Sequence, residues 1–398
     1  MTNFYFKRMS TGLLVRAMST GLQTITLVIL ARQLEAAKFG YYASTVSAAT
    51  FVGAVLTFGA SMRIIYLSAP GQAQLLTTLR VVSIVGSLVA GVVSIALAVL
   101  IWGSDNLLLL VAAAAAVFVE VVYTAEANSN FARGFVRKAE TLILAKRLLP
   151  FAFVVVGYFV FRLEVTALYL VGLCFSSLGI VIAVLGSLRA KGMLMTFSEA
   201  VRTSRHYWVS TMMATFQQLD VLIVGSFMGG AQAGGYAAGY RVASPAHLIT
   251  TSITAITIPS VANESISLSQ RKAAFRSLNR YMGTYTCGLI LLAPLAALIA
   301  PLLLGESYQE FRWLFAVFVV NAAVNSWVQS RIGVANSFSY SAVVARLLFV
   351  STVGSLSFIA LFAAFNSLAG VCISLLGSQI IQAIIFSLVA RKGSECLR

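Results

Sequence analysis

Charged residues set inside apolar runs are where this chain has the most chemistry to explain. Asp220 stands in LDVLIVGSFM and Arg241 in GGYAAGYRVASP. A charge at the centre of a bilayer costs about 2.5–3.5 kcal/mol on insertion scales, so each calls for a partner or a task. Asp220 lies about twelve residues from the inner end of its run, roughly 18 Å deep at a helical rise of about 1.5 Å per residue. Arg241 lies six or seven residues from the outer end of the next run, roughly 10 Å down on the same rise. In a hydrocarbon core about 30 Å thick the two depths nearly coincide across a short Gly-rich turn. The spacing therefore predicts an Asp220–Arg241 ion pair. It reads either as a link between neighbouring helices or as a pair whose Arg241 also faces a central cavity and meets an anion.

Other polar groups fall at helical spacings. Glu120 and Glu126 are six residues apart, which on a helix turns them about 120° from one another, so they do not form a paired carboxylate site. Glu126 is near the inner mouth of its run. Glu120 is deeper and reads as a coupling group for a proton or cation, or as the partner of a base on another span. Arg16 carries Thr20 and Gln23 on its own face, a stripe that fits a vestibule lining, while the arginine alone fits snorkelling to the headgroups. Asn321, Asn325 and Gln329 form a second polar stripe, and Ser374, Ser378 and Gln382 a third; hydrogen bonding between helices and a wet wall both account for such stripes. Two histidines, His206 and His247, and four scattered cysteines provide no metal spacing. No metal, disulfide, catalytic residue or cofactor is expected, and a proton or sodium gradient is the driving force to be considered.

The elements that must position these groups are transmembrane helices. Hydrophobic residues make up 59% of 398 and charged residues 10%, against about a quarter charged in an ordinary soluble domain. The mean hydropathy is +0.91. About twelve apolar runs are long enough for the roughly 20 residues that a helical span requires, and their period is helical, not that of an outer-membrane barrel. The net charge of +16 is sorted by side. All 28 Lys and Arg except Arg32, Lys38, Arg162, Arg312 and Arg241 fall in one set of loops and tails. That is the positive-inside pattern, with both termini cytoplasmic, and it makes the basic excess a matter of topology with no nucleic-acid partner. The outside loops, such as Arg32 to Lys38 and Gly305 to Arg312, are too short for a catalytic domain. The stretch Asn128 to Arg147 alternates charged and apolar residues and reads as an amphipathic helix on the inner leaflet.

One element is written twice. ILARQLEAAKFGYYA and VLIVGSFMGGAQAGGYAAG each run from an apolar helix end through a break to Gly-x-Tyr-Ala. Gly40, Tyr42 and Ala43 match Gly234, Tyr236 and Ala237 at one constant spacing, close to half the chain. The expected fold is an all-α polytopic membrane protein of about twelve transmembrane helices in two pseudo-two-fold-related six-helix bundles. The expected divisions are an N-terminal bundle over 1–190, a cytoplasmic linker over 191–207 and a C-terminal bundle over 208–398.

At the repeated segments the chain resembles polysaccharide repeat-unit flippases. These are the Wzx-type members of the multidrug/oligosaccharidyl-lipid/polysaccharide exporter superfamily. LDVLIVGSFMGGAQAGGYAAGYRVASP is similar to their second-half signature and ILARQLEAAKFGYYA to their first. The resemblance implies two six-helix bundles forming a V in the bacterial inner membrane, with a cavity opening alternately to each side. It implies as substrate an oligosaccharide on undecaprenyl diphosphate, moved from the inner to the outer leaflet for surface polysaccharide synthesis. Membrane lipids and other polysaccharide-assembly membrane proteins are the further partners it implies. On this reading Arg16, Arg63 and Arg241 are the candidate cations for the phosphates, and Gln23, Asn321, Asn325 and Gln329 the candidates for the sugar.

A drug or cation antiporter of the same superfamily is the nearest rival, although its first span often carries an acid where this chain has Arg16. A polysaccharide polymerase or ligase would need a long basic outside loop, which this chain lacks.

Overall fold

The computed structural model describes residues 2–64, 73–133, 135–189, 196–247, 249–250, 253–254, 267–337 and 340–395. Among these residues all regular structure is helical. In chain order the helices are α1 Thr2–Leu56, α2 Ala60–Ile64, α3 Ala73–Trp102, α4 Leu107–Ala132, α5 Val136–Phe161, α6 Val165–Arg189, α7 Phe197–Phe216, α8 Leu219–Met228 and α9 Gly230–Ala243. They continue with α10 Leu268–Leu304, a 3₁₀ turn Glu306–Phe311, α11 Arg312–Ser337, α12 Ser341–Ala364 and α13 Leu368–Glu395.

Burial follows the logic of a lipid solvent. Leu100, Leu291 and Phe365 are 82%, 80% and 74% exposed, while Ala112, Ala113, Ser83 and Ser94 are completely buried. Hydrocarbon gives large apolar side chains no reason to turn inward, and small residues let helix backbones approach.

Among the described residues, nine helical stretches are long and apolar enough to cross a bilayer. The difference from about twelve runs lies in how three of them are built. α1 contains the first two runs, and the expected loop from Arg32 to Lys38 shrinks to one non-helical residue, Glu35. The seventh run is divided into α7 and α8 at Gln217–Gln218, both of which keep right-handed helical dihedrals, and Asp220 follows in the first turn of α8. The eighth run starts as α9, earlier than the Gly-rich break suggested, and extends into residues outside the described set.

The expected surface helix over 128–147 is also replaced. α4 runs on to Ala132, and α5 is continuous from Val136 to Phe161. Lys146 and Arg147 are therefore mid-helix residues, and so are Arg80 on α3 and Arg331 on α11. Charge sorting places all four in inside loops, and the structure has them within helices.

Contacts divide the chain into two units, Met1–Gly234 and Gly235–Arg398. The division falls later than 191–207 because α7 and α8 both pack on α1.

The repeat reaches well beyond its sequence signature. Glu35 (φ 61°, ψ 170°) and Gly229 (φ 89°, ψ 173°), which stand at the spacing of the repeated motif, share one unusual backbone conformation. The α3–α4 joint turns at Gly103 with φ 79° and the α10–α11 joint at Gly305 with φ 108°. The α5–α6 and α12–α13 joints turn at Arg162 and Asn366, with φ 53° and 54°. Glu35 holds a conformation open in practice to glycine alone, at a cost of about 1–3 kcal/mol. Replacing Glu35 by Gly is expected to raise the melting temperature of the detergent-purified protein by a few degrees, whereas Gly229→Ala, in open space, lowers it through strain alone. An unchanged melting temperature for both would refute the strain at this joint.

The two copies of the motif also cross each other. A Cβ on Gly40 would lie 1.8 Å from the Gly230 carbonyl oxygen, and a Cβ on Gly234 would lie 1.8 Å from that of Ala36. Ala36 and Gly40 correspond to Gly230 and Gly234 in the repeat, so the contact is the same when read from either copy. These small-xxx-small pairs bring two helix backbones together as only glycine permits.

Candidate functional site

In the first unit, α1, α4, α5 and α6 pack on one another. α4 and α5 run antiparallel about their short connection at 133–135, so Glu120 and Lys146 stand at nearly equal distances from the turn. The Glu120 carboxylate is shared between two consecutive bases of α5. Lys146 donates from Nζ to Oε1 at 2.7 Å, and Arg147 donates from Nη2 to Oε2. Thr124, one turn along α4, donates to Oε1 at 3.4 Å. The Lys146 and Arg147 side chains are 10% and 17% exposed. Two cations face one carboxylate, and a net positive charge remains among apolar helices.

Lys146 and Arg147 line a cleft together with Gln23, Thr26, Tyr169 and Pro150. Each is placed for a local reason. Thr26 donates to the Leu22 carbonyl one turn back at 2.8 Å, which fixes its rotamer. Tyr169 is held by a hydroxyl contact of 3.2 Å with Tyr42, a residue of the repeated motif. Pro150 has no N–H, so the carbonyl of Lys146 four residues earlier is left without its helix bond. The cleft is thus lined by two cationic side chains, an amide and two hydroxyl groups.

Arg80 Nη2 lies 2.5 Å from Glu126 Oε2, and Asn128 donates to the Ser61 carbonyl at 2.8 Å, tying α4 to α2. Asp220 accepts from the Val221 N–H at 2.7 Å in the first turn of α8, where the helix dipole favours an acid.

Of the residues expected to meet a substrate, only Gln23 lines this cleft. Arg16 is exposed on α1. Arg63, on α2, donates to the Tyr207 hydroxyl at 3.3 Å and lies 5.2 Å from that ring. Arg241 belongs to the second unit and is half-buried on α9. Asn321 is buried, Asn325 accepts from Gln329 at 3.3 Å, and Gln329 is exposed, so the stripe on α11 passes from interior to surface. Among the described residues no group of three or more His, Cys, Asp or Glu could hold a metal ion.

Lys146 and Arg147 were missed as site residues, although two signals could have found them. Glu120 needed a base, and the sequence from Val136 to Phe161 has no break before Pro150. Arg331 was missed in the same way, since nothing interrupts α11 between it and the preceding apolar run.

These features define a multi-pass, all-α membrane protein. Residues 29–313 match the model of a family described as polysaccharide biosynthesis protein, and the chain belongs to that family. No curated protein matches the chain. Among solved structures, it is similar to an outward-facing multidrug resistance MATE family transporter of the MOP superfamily, at 14% identity and a TM-score of 0.63 over 98% of this chain and 96% of that one. It is similar also to a MOP superfamily transporter from Pyrococcus furiosus, described as having a binding pocket of reverse polarity, at 15% identity and a TM-score of 0.63 over 98% and 96%. A Vibrio cholerae MATE transporter matches at 15% identity with a TM-score of 0.55 over 98% and 97%. At such identities the likeness is one of fold, and the fold is that of MOP superfamily transporters.

Proposed function

We propose that the protein is a flippase that moves undecaprenyl-diphosphate-linked oligosaccharide units from the inner to the outer leaflet of the bacterial cytoplasmic membrane, for surface polysaccharide synthesis. Both termini would be cytoplasmic, and a proton or sodium gradient would drive the cycle. The observation that carries this reading is the cleft where Lys146 and Arg147, with one shared carboxylate, stand beside Gln23, Thr26 and Tyr169. A diphosphate cannot cross hydrocarbon without cations, and sugar hydroxyls need amide and hydroxyl partners. Charge-assisted donors in a low-dielectric site are the strongest available for phosphate oxygens. Membership of the polysaccharide biosynthesis family supports the sugar part of the reading. A cationic drug would instead require an acidic pocket.

Deletion of the gene in its host is expected to remove the surface polymer while its lipid-linked unit accumulates on the cytoplasmic side. Analysis of lipid-linked sugars and of surface polysaccharide measures both. A deletion strain with normal polymer and altered dye efflux would refute the flippase reading and favour the antiporter.

A further inference from the structure

In the second unit, Arg331 on α11 is 4% exposed. Nη1 donates to Asn279 Oδ1 of α10 at 2.6 Å. The guanidinium carbon lies 3.9 Å from the Trp327 ring centroid and 6.0 Å from that of Phe275. Trp327 is itself fixed by its indole N–H, which donates to Ser387 of α13 at 3.1 Å. The guanidinium is thus stacked and oriented from three helices, yet Nε and Nη2 are buried without a hydrogen-bond partner. Among the described residues no carboxylate pairs with it. Arg stays protonated in proteins, so a buried fork of this kind is an unfilled half of a charge-assisted pair.

The structure assigns Arg331, positioned by Asn279 and Trp327, as a binding site for a phosphate group. The Nε and Nη2 edge presents two parallel N–H donors, the geometry that accepts two oxygens of one oxyanion. The surroundings select phosphate over carboxylate: α10 carries Arg271, Lys272, Arg276 and Arg280 with no acid, and α11 carries no acid either. A positive local field favours the more highly charged anion. Both nitrogens are covered in this conformation, so the phosphate enters when the side chains over them move. The phosphate could belong to a membrane lipid, to a polyprenyl diphosphate carrier or to free phosphate. The site does not rest on the flippase reading, and its test measures binding, not transport.

The test uses the full chain in neutral detergent, with melting temperature followed against dioctanoyl phosphatidic acid, undecaprenyl diphosphate, inorganic phosphate and, as control, dioctanoylglycerol. At least one phosphate-bearing probe is expected to stabilise the protein saturably, and the control is not. The probe that acts identifies the source of the phosphate. Arg331→Gln is expected to weaken that probe about tenfold to a hundredfold, the range for hydrogen bonds to charged groups. Should Arg331→Gln fail to fold, Asn279→Asp serves in its place. It sets a carboxylate against the guanidinium, so it should raise the melting temperature while abolishing the phosphate response. No stabilisation by any phosphate probe, or a wild-type response in either variant, overturns the site.

Discussion

Gly234→Ala is expected to destabilise the protein by about 3 kcal/mol or more, although a single methyl is all that it adds. The new Cβ would lie 1.8 Å from the Ala36 carbonyl oxygen and 2.6 Å from its carbon, both backbone atoms. A rotamer change cannot relieve a clash with backbone, so the crossing of α1 with α9 has to open. Overpacking a well-packed contact costs about 1–3 kcal/mol, and a backbone clash lies at or above the top of that range. Gly40→Ala is expected to act in the same way, because its Cβ meets the Gly230 carbonyl at an equal distance. Gly288→Ala is the control, since nothing lies within 4 Å of its Cβ. There the better helix propensity of alanine, worth about 0.8–1.0 kcal/mol, is expected to leave stability unchanged or raised. Monodispersity on size exclusion and melting temperature in detergent separate the cases. A Gly234→Ala protein as stable as the Gly288→Ala control would remove the close crossing from the account.

Glu120→Gln is expected to lower stability by about 2 kcal/mol by leaving Lys146 and Arg147 side by side without their shared counter-ion. Breaking a fully buried pair typically costs about 3–5 kcal/mol. The smaller figure applies because 41% of the Glu120 side chain is accessible and partly screened. The informative variant is the double one. Adding Lys146→Met removes the repulsion and brings the cluster back to its original net charge, so much of the lost melting temperature should return. Transport should not return with it, since on the proposed mechanism a diphosphate needs both cations. We expect at least a tenfold loss of flipping rate in reconstituted vesicles for the double variant, despite its recovered stability. If the double variant melts as low as Glu120→Gln alone, Lys146 and Glu120 are not coupled as the geometry indicates. If it also flips at the wild-type rate, the cleft is not the phosphate path.

Much of the fold was legible in the sequence because the bilayer imposes a length and a polarity on every span. The repeated Gly-x-Tyr-Ala element was legible for a second reason, since it marks a backbone contact that tolerates no larger residue at Gly40 or Gly234. The site was less legible. Lys146, Arg147 and Arg331 resembled loop cations, as hydropathy treats every base as a reason to end a span.

By itself the sequence determined that this is a helical membrane protein, twice repeated, with an excess of cations to be accommodated. Composition, span length and periodicity are properties of single segments, and a single segment carries them without knowledge of its neighbours. Only the tertiary structure decided what each cation meets: Lys146 and Arg147 against Glu120 beside the cleft, Arg63 on Tyr207, Arg331 on Trp327 and Asn279. The physical reason is that in a medium without water the cost of a charge is settled by its partner, and partners are supplied by other helices.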